Sequence, residues 1–181
     1  MMPVRNFSKV LRLLPLVVLV FIVARGWAQE ESKADAQYRE DYDRFMKIKA
    51  TADPIKRSDE FYEFLKQRPD TRLLKNAQAE CLLIMDGTFK AQRYTELLNM
   101  AERFVNLFPK VGEAYYFYGA ALKQEGKYLE AMDALAKCYV LKNPASERAR
   151  QNLEFTYKAQ NKGSLAGLDA LIRKARAEVS K

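Results

Sequence analysis

Residues 112–144 contain two apolar stripes with helical spacing, joined by a short turn. Residues of the first stripe recur at intervals of three and four, as on one face of an α-helix, and are Tyr115, Tyr118, Gly119 and Leu122. The second stripe has the same periodicity and consists of Tyr128, Ala131, Leu135 and Cys138. Gly126, between the stripes, is typical of a left-handed helix cap, and Pro144 cannot continue a helix. This stretch therefore predicts two antiparallel helices with a tight turn.

The same layout recurs 34 residues upstream. Its stripes are Cys81, Ile84, Met85 and Thr88, then Tyr94, Leu97, Ala101 and Phe104, closed by Pro109. Two further stretches show the same alternation of helical stripes, one before and one after these. We therefore predict an all-α chain of eight helices, arranged as four antiparallel pairs at residues 33–69, 72–109, 112–144 and 146–179.

The stretch from Gly112 to Pro144 resembles a tetratricopeptide repeat. The resemblance consists of a large residue at Tyr115, the Tyr118-Gly119 pair, large Leu122, turn residue Gly126, Tyr128, small Ala131, large Leu135, small Cys138 and the late proline. The upstream repeat departs from the pattern, with Met85, Gln92 and Leu97 in place of the glycine, the turn glycine and the alanine. Membership of this family implies an α-solenoid with a right-handed superhelical stack.

Gly119 is unexpected inside a helix, where glycine costs about 1 kcal/mol relative to alanine. We expect Gly119 and Ala131 to form the closest approach of the two helices. The large residues packed around that contact would then be Tyr115, Leu122, Tyr128 and Leu135. Loss of one such core side chain costs about 2–5 kcal/mol, which outweighs the unfavourable propensity of the glycine.

In tetratricopeptide repeats the first helices of successive pairs line a concave face that holds an extended peptide or a partner helix. The resemblance implies that the binding positions are those away from the packing stripes: Leu82, Asp86, Phe89, Lys90, Tyr116, Lys123, Arg150 and Tyr157, with Ala120 and Glu154 beside them. Aromatic residues and arginine are enriched at protein interfaces, and these positions contain both. The competing interpretation is that Tyr116 packs against neighbouring helices.

The first 28 residues have the features of a secretory signal peptide. Arg5, Lys9 and Arg12 precede an apolar run, and Gly26-Trp27-Ala28 supplies a cleavage motif, so residues 29–181 would form the repeat domain. Removal of this segment would take away four basic residues and lower the formal net charge from +8 by four. The expected location is the periplasm or the exterior. The alternative is an uncleaved anchor, although the apolar run is shorter than the roughly 20 residues that span a bilayer.

Composition excludes several kinds of chemistry. The chain has no histidine, which rules out Ser-His-Asp and Cys-His nucleophiles and imidazole metal sites. We predict no catalytic residue, no metal, no cofactor and no nucleic-acid partner. Cys81 and Cys138 lie among apolar helical neighbours, and we predict two buried free thiols rather than a disulfide.

These observations predict a non-catalytic module that binds a protein or peptide segment in the groove of the stacked repeats. The alternative is a structural adaptor that acts through homo-oligomerisation or assembly of an envelope complex. Peripheral membrane contact through residues 171–181 is a weaker alternative, because that segment lacks a face with tryptophan or phenylalanine.

Overall fold

A computed structural model describes residues 33–180 of the chain, and the signal segment predicted at residues 1–28 lies outside this range. All regular structure in the described part is helical, which confirms the all-α prediction. The helices are α1 (residues 33–49), α2 (Pro54–Gln67), α3 (Leu74–Lys90), α4 (Tyr94–Leu107), α5 (Gly112–Gln124), α6 (Tyr128–Val140), α7 (Ser146–Gln160) and α8 (Leu168–Val179). Each of the four predicted pair ranges contains two of these eight helices. None of the helices between residues 33 and 180 is both long enough and apolar enough to cross a membrane.

The chain divides into two compact units. The first extends to Arg44, and its described part, residues 33–44, is helical, with the rings of Tyr38 and Tyr42 6.2 Å apart. The second unit begins at Phe45 and contains α2 to α8. All candidate binding residues belong to the second unit.

Local sequence signals set the ends of several helices. Asp53 caps α2, because its side chain accepts hydrogen bonds from the N–H groups of Ile55 and Lys56, both at 2.8 Å. Pro54 occupies the first turn, where its missing N–H is not needed. Helices α4 and α6 end shortly before prolines, as the sequence predicts.

Two turns 34 residues apart have the same backbone structure. Gly126, after α5, has a φ of 75°, and the next N–H bonds to the carbonyl five residues earlier at 2.9 Å. Gln92, after α3, has a φ of 57°, and the equivalent bond is 3.1 Å long. The fold is therefore repeat-like at this point even though glutamine replaces the glycine.

Helices of the second unit contact both their sequence neighbours and the helices two places away. Consecutive helices from α2 to α7 contact one another. In addition α3 contacts α5 and α5 contacts α7, while α2 contacts α4 and α6 contacts α8. The first helices of three successive pairs are thus adjacent.

Gly119 lies at the close approach of α5 and α6. A Cβ atom built on it would lie 2.8 Å from Leu135 Cγ and 3.1 Å from the carbonyl oxygen of Ala131. Both neighbours belong to α6, so only a glycine allows this separation. This is the Gly119–Ala131 contact expected from the sequence. Gly112 at the start of α5 is similarly confined, against Leu141 and Asn143.

The remaining predicted packing residues are buried, with one exception. Tyr115, Leu122, Ala131 and Leu135 are all less than a tenth exposed. Tyr128, by contrast, is 40% exposed. As the first residue of α6 it lies at the edge of the packed layer, so its expected role in filling the core is corrected.

Both cysteines are buried free thiols, as predicted. Cys81 lies in α3 and Cys138 in α6. Burial raises the pKa of Cys81 to about 12, and burial raises that of Cys138 to about 11. Both are therefore protonated at neutral pH.

Candidate binding groove

One surface depression of about 390 Å³ crosses the three adjacent first helices. We call it the groove, and its lining residues are Ala79, Leu82, Leu83 and Asp86 of α3, Glu113 and Phe117 of α5, Ala145, and Arg148 of α7. Of the residues predicted for binding, Leu82 and Asp86 are part of this lining.

The groove has an apolar floor that is accessible to solvent. Leu83 is 65% exposed, and Leu82, the residue before it, belongs to the same lining. Phe117 closes the floor from α5 and is itself buried. An exposed leucine beside buried apolar side chains forms a surface that gains free energy when a partner covers it.

Three aromatic rings support the groove from below. The ring of Phe89 lies 6.1 Å from that of Tyr116 and 6.2 Å from that of Phe117, and the last two are 5.6 Å apart. All three pairs meet edge to face, the geometry that aromatic quadrupoles favour. The ring cluster joins α3 to α5 beside the groove.

Tyr116 is only 6% exposed, so it belongs to this packed cluster. Its expected place on an open face is corrected, because the guanidinium of Arg148 lies 4.7 Å above the ring. The competing interpretation from the sequence, packing against neighbouring helices, fits this position.

Two cations of the α5–α7 contact rest on aromatic rings. Arg148 lies over Tyr116, and the ammonium group of Lys123 lies 4.8 Å from the centre of the Phe155 ring. Within the described residues, neither cation has a carboxylate partner at salt-bridge distance. Phe155 was not predicted from the sequence, and it is a largely exposed aromatic residue.

The acidic residues of the groove differ in their pairing. Asp86 forms an ion pair with Lys90 at 2.6 Å, one turn farther along α3. Glu113 has no cation at salt-bridge distance in the part of the chain that the structure describes. Lys90, which was predicted to bind a partner, is therefore already engaged with Asp86.

The remaining predicted residues of α7 do not line the groove. Arg150 donates hydrogen bonds to Glu154 at 2.9 Å and to the hydroxyl of Tyr139 in α6 at 2.6 Å. The hydroxyl of Tyr157 donates to the carbonyl of Ala166 at 2.7 Å. Both side chains are thus used within the fold, and their predicted placement in the groove is corrected.

The rotation of α7 about its own axis explains why Arg150 and Tyr157 do not line the groove. Its buried residues are Ala149, Leu153 and Thr156. The flank on one side of this stripe, with Arg148 and Phe155, faces α5, and the flank with Arg150 lies on the other side. The buried triplet is visible in the sequence, but the choice between its two flanks is not.

A second, smaller depression of about 180 Å³ lies between α6 and α8, beside Tyr115. Lys137 forms ion pairs there with Asp133 at 2.7 Å and with Glu178 at 2.9 Å. Desolvation lowers the pKa of Lys137, but the hydrogen bonds to both carboxylates outweigh it and raise the pKa overall. This cluster attaches the last helix to the core and has the character of a structural contact.

Comparison with known proteins does not assign the chain. No family model matches it, and searches of curated proteins and of solved structures find no significant similarity. In residues 33–180 no group of acidic or cysteine side chains is arranged to hold a metal ion.

Proposed function

We propose that this protein is an exported, non-catalytic binding module of the tetratricopeptide-repeat type. In this proposal the helix pairs stack as a solenoid, and the groove captures one segment of another protein. The observation that carries the proposal is the groove itself, an apolar depression shared by the first helices of three successive pairs.

The physical support is preorganisation. All lining residues of the groove except Ala145 lie on helices, and the ring cluster of Phe89, Tyr116 and Phe117 packs two of these helices together. A partner therefore does not have to order the surface that it binds, which lowers the entropic penalty of association. Leu83 supplies exposed apolar area to the groove lining.

Photo-crosslinking tests the proposal in the native cell envelope. A benzoyl-phenylalanine replaces Leu83 in the groove, and in a matched control it replaces Leu129 of α6, which is 76% exposed and lies outside the groove lining. We expect a defined heterologous adduct from position 83 only. If export removes the signal segment, the chain of this protein within the adduct begins at Gln29, which mass spectrometry measures.

Charge insertion at the same two positions provides the affinity test. Leu83→Glu should weaken the affinity for the purified partner about tenfold or more, because it buries a charge against an apolar floor. Leu129→Glu should leave the affinity unchanged. Equal adducts at both positions, or equal affinities of the two variants, would refute groove binding. An adduct with the mass of a second copy of this chain would favour the adaptor alternative.

A further inference from the structure

We infer that the groove selects a peptide segment in which a bulky apolar side chain is accompanied by an acidic one. This inference rests on the proposed function and specifies the chemistry of its ligand. The acidic group would bind Arg148, and the apolar side chain would enter the depression between Leu83 and Phe117.

Arg148 differs from other cations of the fold in the kind of group that it contacts. Three other cations at helix contacts of the second unit have carboxylate partners on the neighbouring helix: Lys49 with Glu80, Arg103 with Asp59, and Lys137 with Glu178. Arg148 instead rests on Tyr116 and has no such partner among the described residues. Its guanidinium lies 4.7 Å from the centre of the Tyr116 ring, and its N–H groups, at the lining of an apolar depression, donate no hydrogen bond within the described residues. A guanidinium in this state is suited to bidentate binding of a carboxylate.

A second cation–aromatic pair lies farther along the contact between α5 and α7, where Lys123 of α5 lies over the ring of Phe155 of α7. Phe155, beneath Lys123, lies seven residues after Arg148, which corresponds to about 10 Å along the helix. An extended peptide covers that distance with about three residues. A ligand with two acidic residues at this separation would engage both cations.

Glu113 determines on which side of the groove an acidic side chain of the ligand is expected. Asp86 is neutralised by Lys90, so Glu113 is the one carboxylate of the groove lining that no cation of the described chain neutralises. It repels a ligand carboxylate near the start of α5. The acidic side chain is therefore expected on the α7 side, next to Arg148.

A peptide array tests the inference with the purified full chain. The array carries 12-residue peptides with a central leucine or phenylalanine, and neighbouring positions hold aspartate, glutamine or lysine. We expect binding to be strongest for the aspartate peptides. Arg148→Gln should weaken the binding of the aspartate peptides about fivefold, which corresponds to the loss of one exposed ion pair. Glu113→Gln, a matched neutralisation on α5, should leave binding equal or tighter. Circular dichroism checks that both variants fold.

The outcomes separate the inference from the proposed function. Equal binding of aspartate and lysine peptides, with Leu83→Glu still disruptive, would overturn the acidic preference and keep the groove as a binding site. Binding that weakens with Glu113→Gln and tightens with Arg148→Gln would show a basic ligand and overturn the inference. Peptide binding that is insensitive to Leu83→Glu, or no binding at all, would overturn both.

Discussion

Alanine substitution at two helical glycines isolates the steric constraint at Gly119. Gly87 in α3 has nothing within 4 Å of a Cβ position, so Gly87→Ala should stabilise the protein by about 0.5–1 kcal/mol through helix propensity alone. Gly119→Ala gains the same propensity, but its new Cβ would lie 2.8 Å from Leu135 Cγ. Carbon atoms pack best at about 3.5–4.0 Å, so α5 and α6 must separate or Leu135 must move.

Overpacking of this kind costs about 1–3 kcal/mol. Because the propensity gain is common to both variants, their difference in unfolding free energy equals the steric cost. We therefore expect Gly119→Ala to be about 1–3 kcal/mol less stable than Gly87→Ala. Urea unfolding followed by circular dichroism at 222 nm measures the stability of both variants. Equal slopes of the unfolding free energy against urea concentration show that the comparison is valid.

A double-mutant cycle identifies the source of the cost. In a Leu135→Ala background the nearest obstacle is gone, so most of the penalty of Gly119→Ala should disappear. Equal stability of the Gly119→Ala and Gly87→Ala proteins would refute the close-contact explanation. A penalty that persists in full without Leu135 would show that Leu135 is not its source and would assign it to the carbonyl oxygen of Ala131.

Two further predictions concern titratable groups. Cys81 and Cys138, with pKa values raised to about 12 and about 11, should react with a thiol reagent at pH 7.5 only after unfolding; rapid labelling of the native protein would contradict their burial. The hydrogen bond from Lys137 lowers the pKa of Glu178 from its usual 4.5, so its stabilisation is present above about pH 4.5 and is lost as the pH falls through the lowered value. At pH 7 the free energy of unfolding of the wild type should therefore exceed that of Glu178→Gln by up to about 1 kcal/mol, a small value because the ion pair is partly exposed. Near pH 2 the two proteins should have equal free energies of unfolding. Urea unfolding at both pH values measures this, and a difference that persists in acid would exclude the ion pair as its source.

Much of the fold could be predicted because its signals are local. Apolar spacing, capping residues and prolines act over one or two turns, and they indicate where the helices between residues 33 and 179 begin and end. Even the contact of Gly119 with α6 could be inferred, since a glycine facing a small residue on the next helix has one simple packing explanation. Gln92 was identified as a substitute for a turn glycine, and its backbone adopts the corresponding conformation.

The groove could be predicted only in part. Leu82 and Asp86 line it, whereas Leu83, Glu113 and Arg148 were not selected from the sequence. Leu83 had no distinguishing signal, because an apolar residue next to a packing stripe is equally compatible with burial. Arg148 and Phe155 share one flank of the buried stripe that contains Ala149 and Leu153, and they could have been selected only with knowledge of the neighbouring helix.

The sequence by itself determined that the described part of this chain is helical, where its helices end, and that Gly119 must face a close neighbour. Tertiary structure decided which flank of each helix faces the groove. The two flanks of α7 are chemically alike, one with Arg148 and Phe155 and the other with Arg150 and Tyr157. Helical periodicity identifies the buried stripe between them but treats both sides equally. Only the position of α5 breaks this symmetry, and it brings Arg148 over Tyr116 while Arg150 bonds to Tyr139.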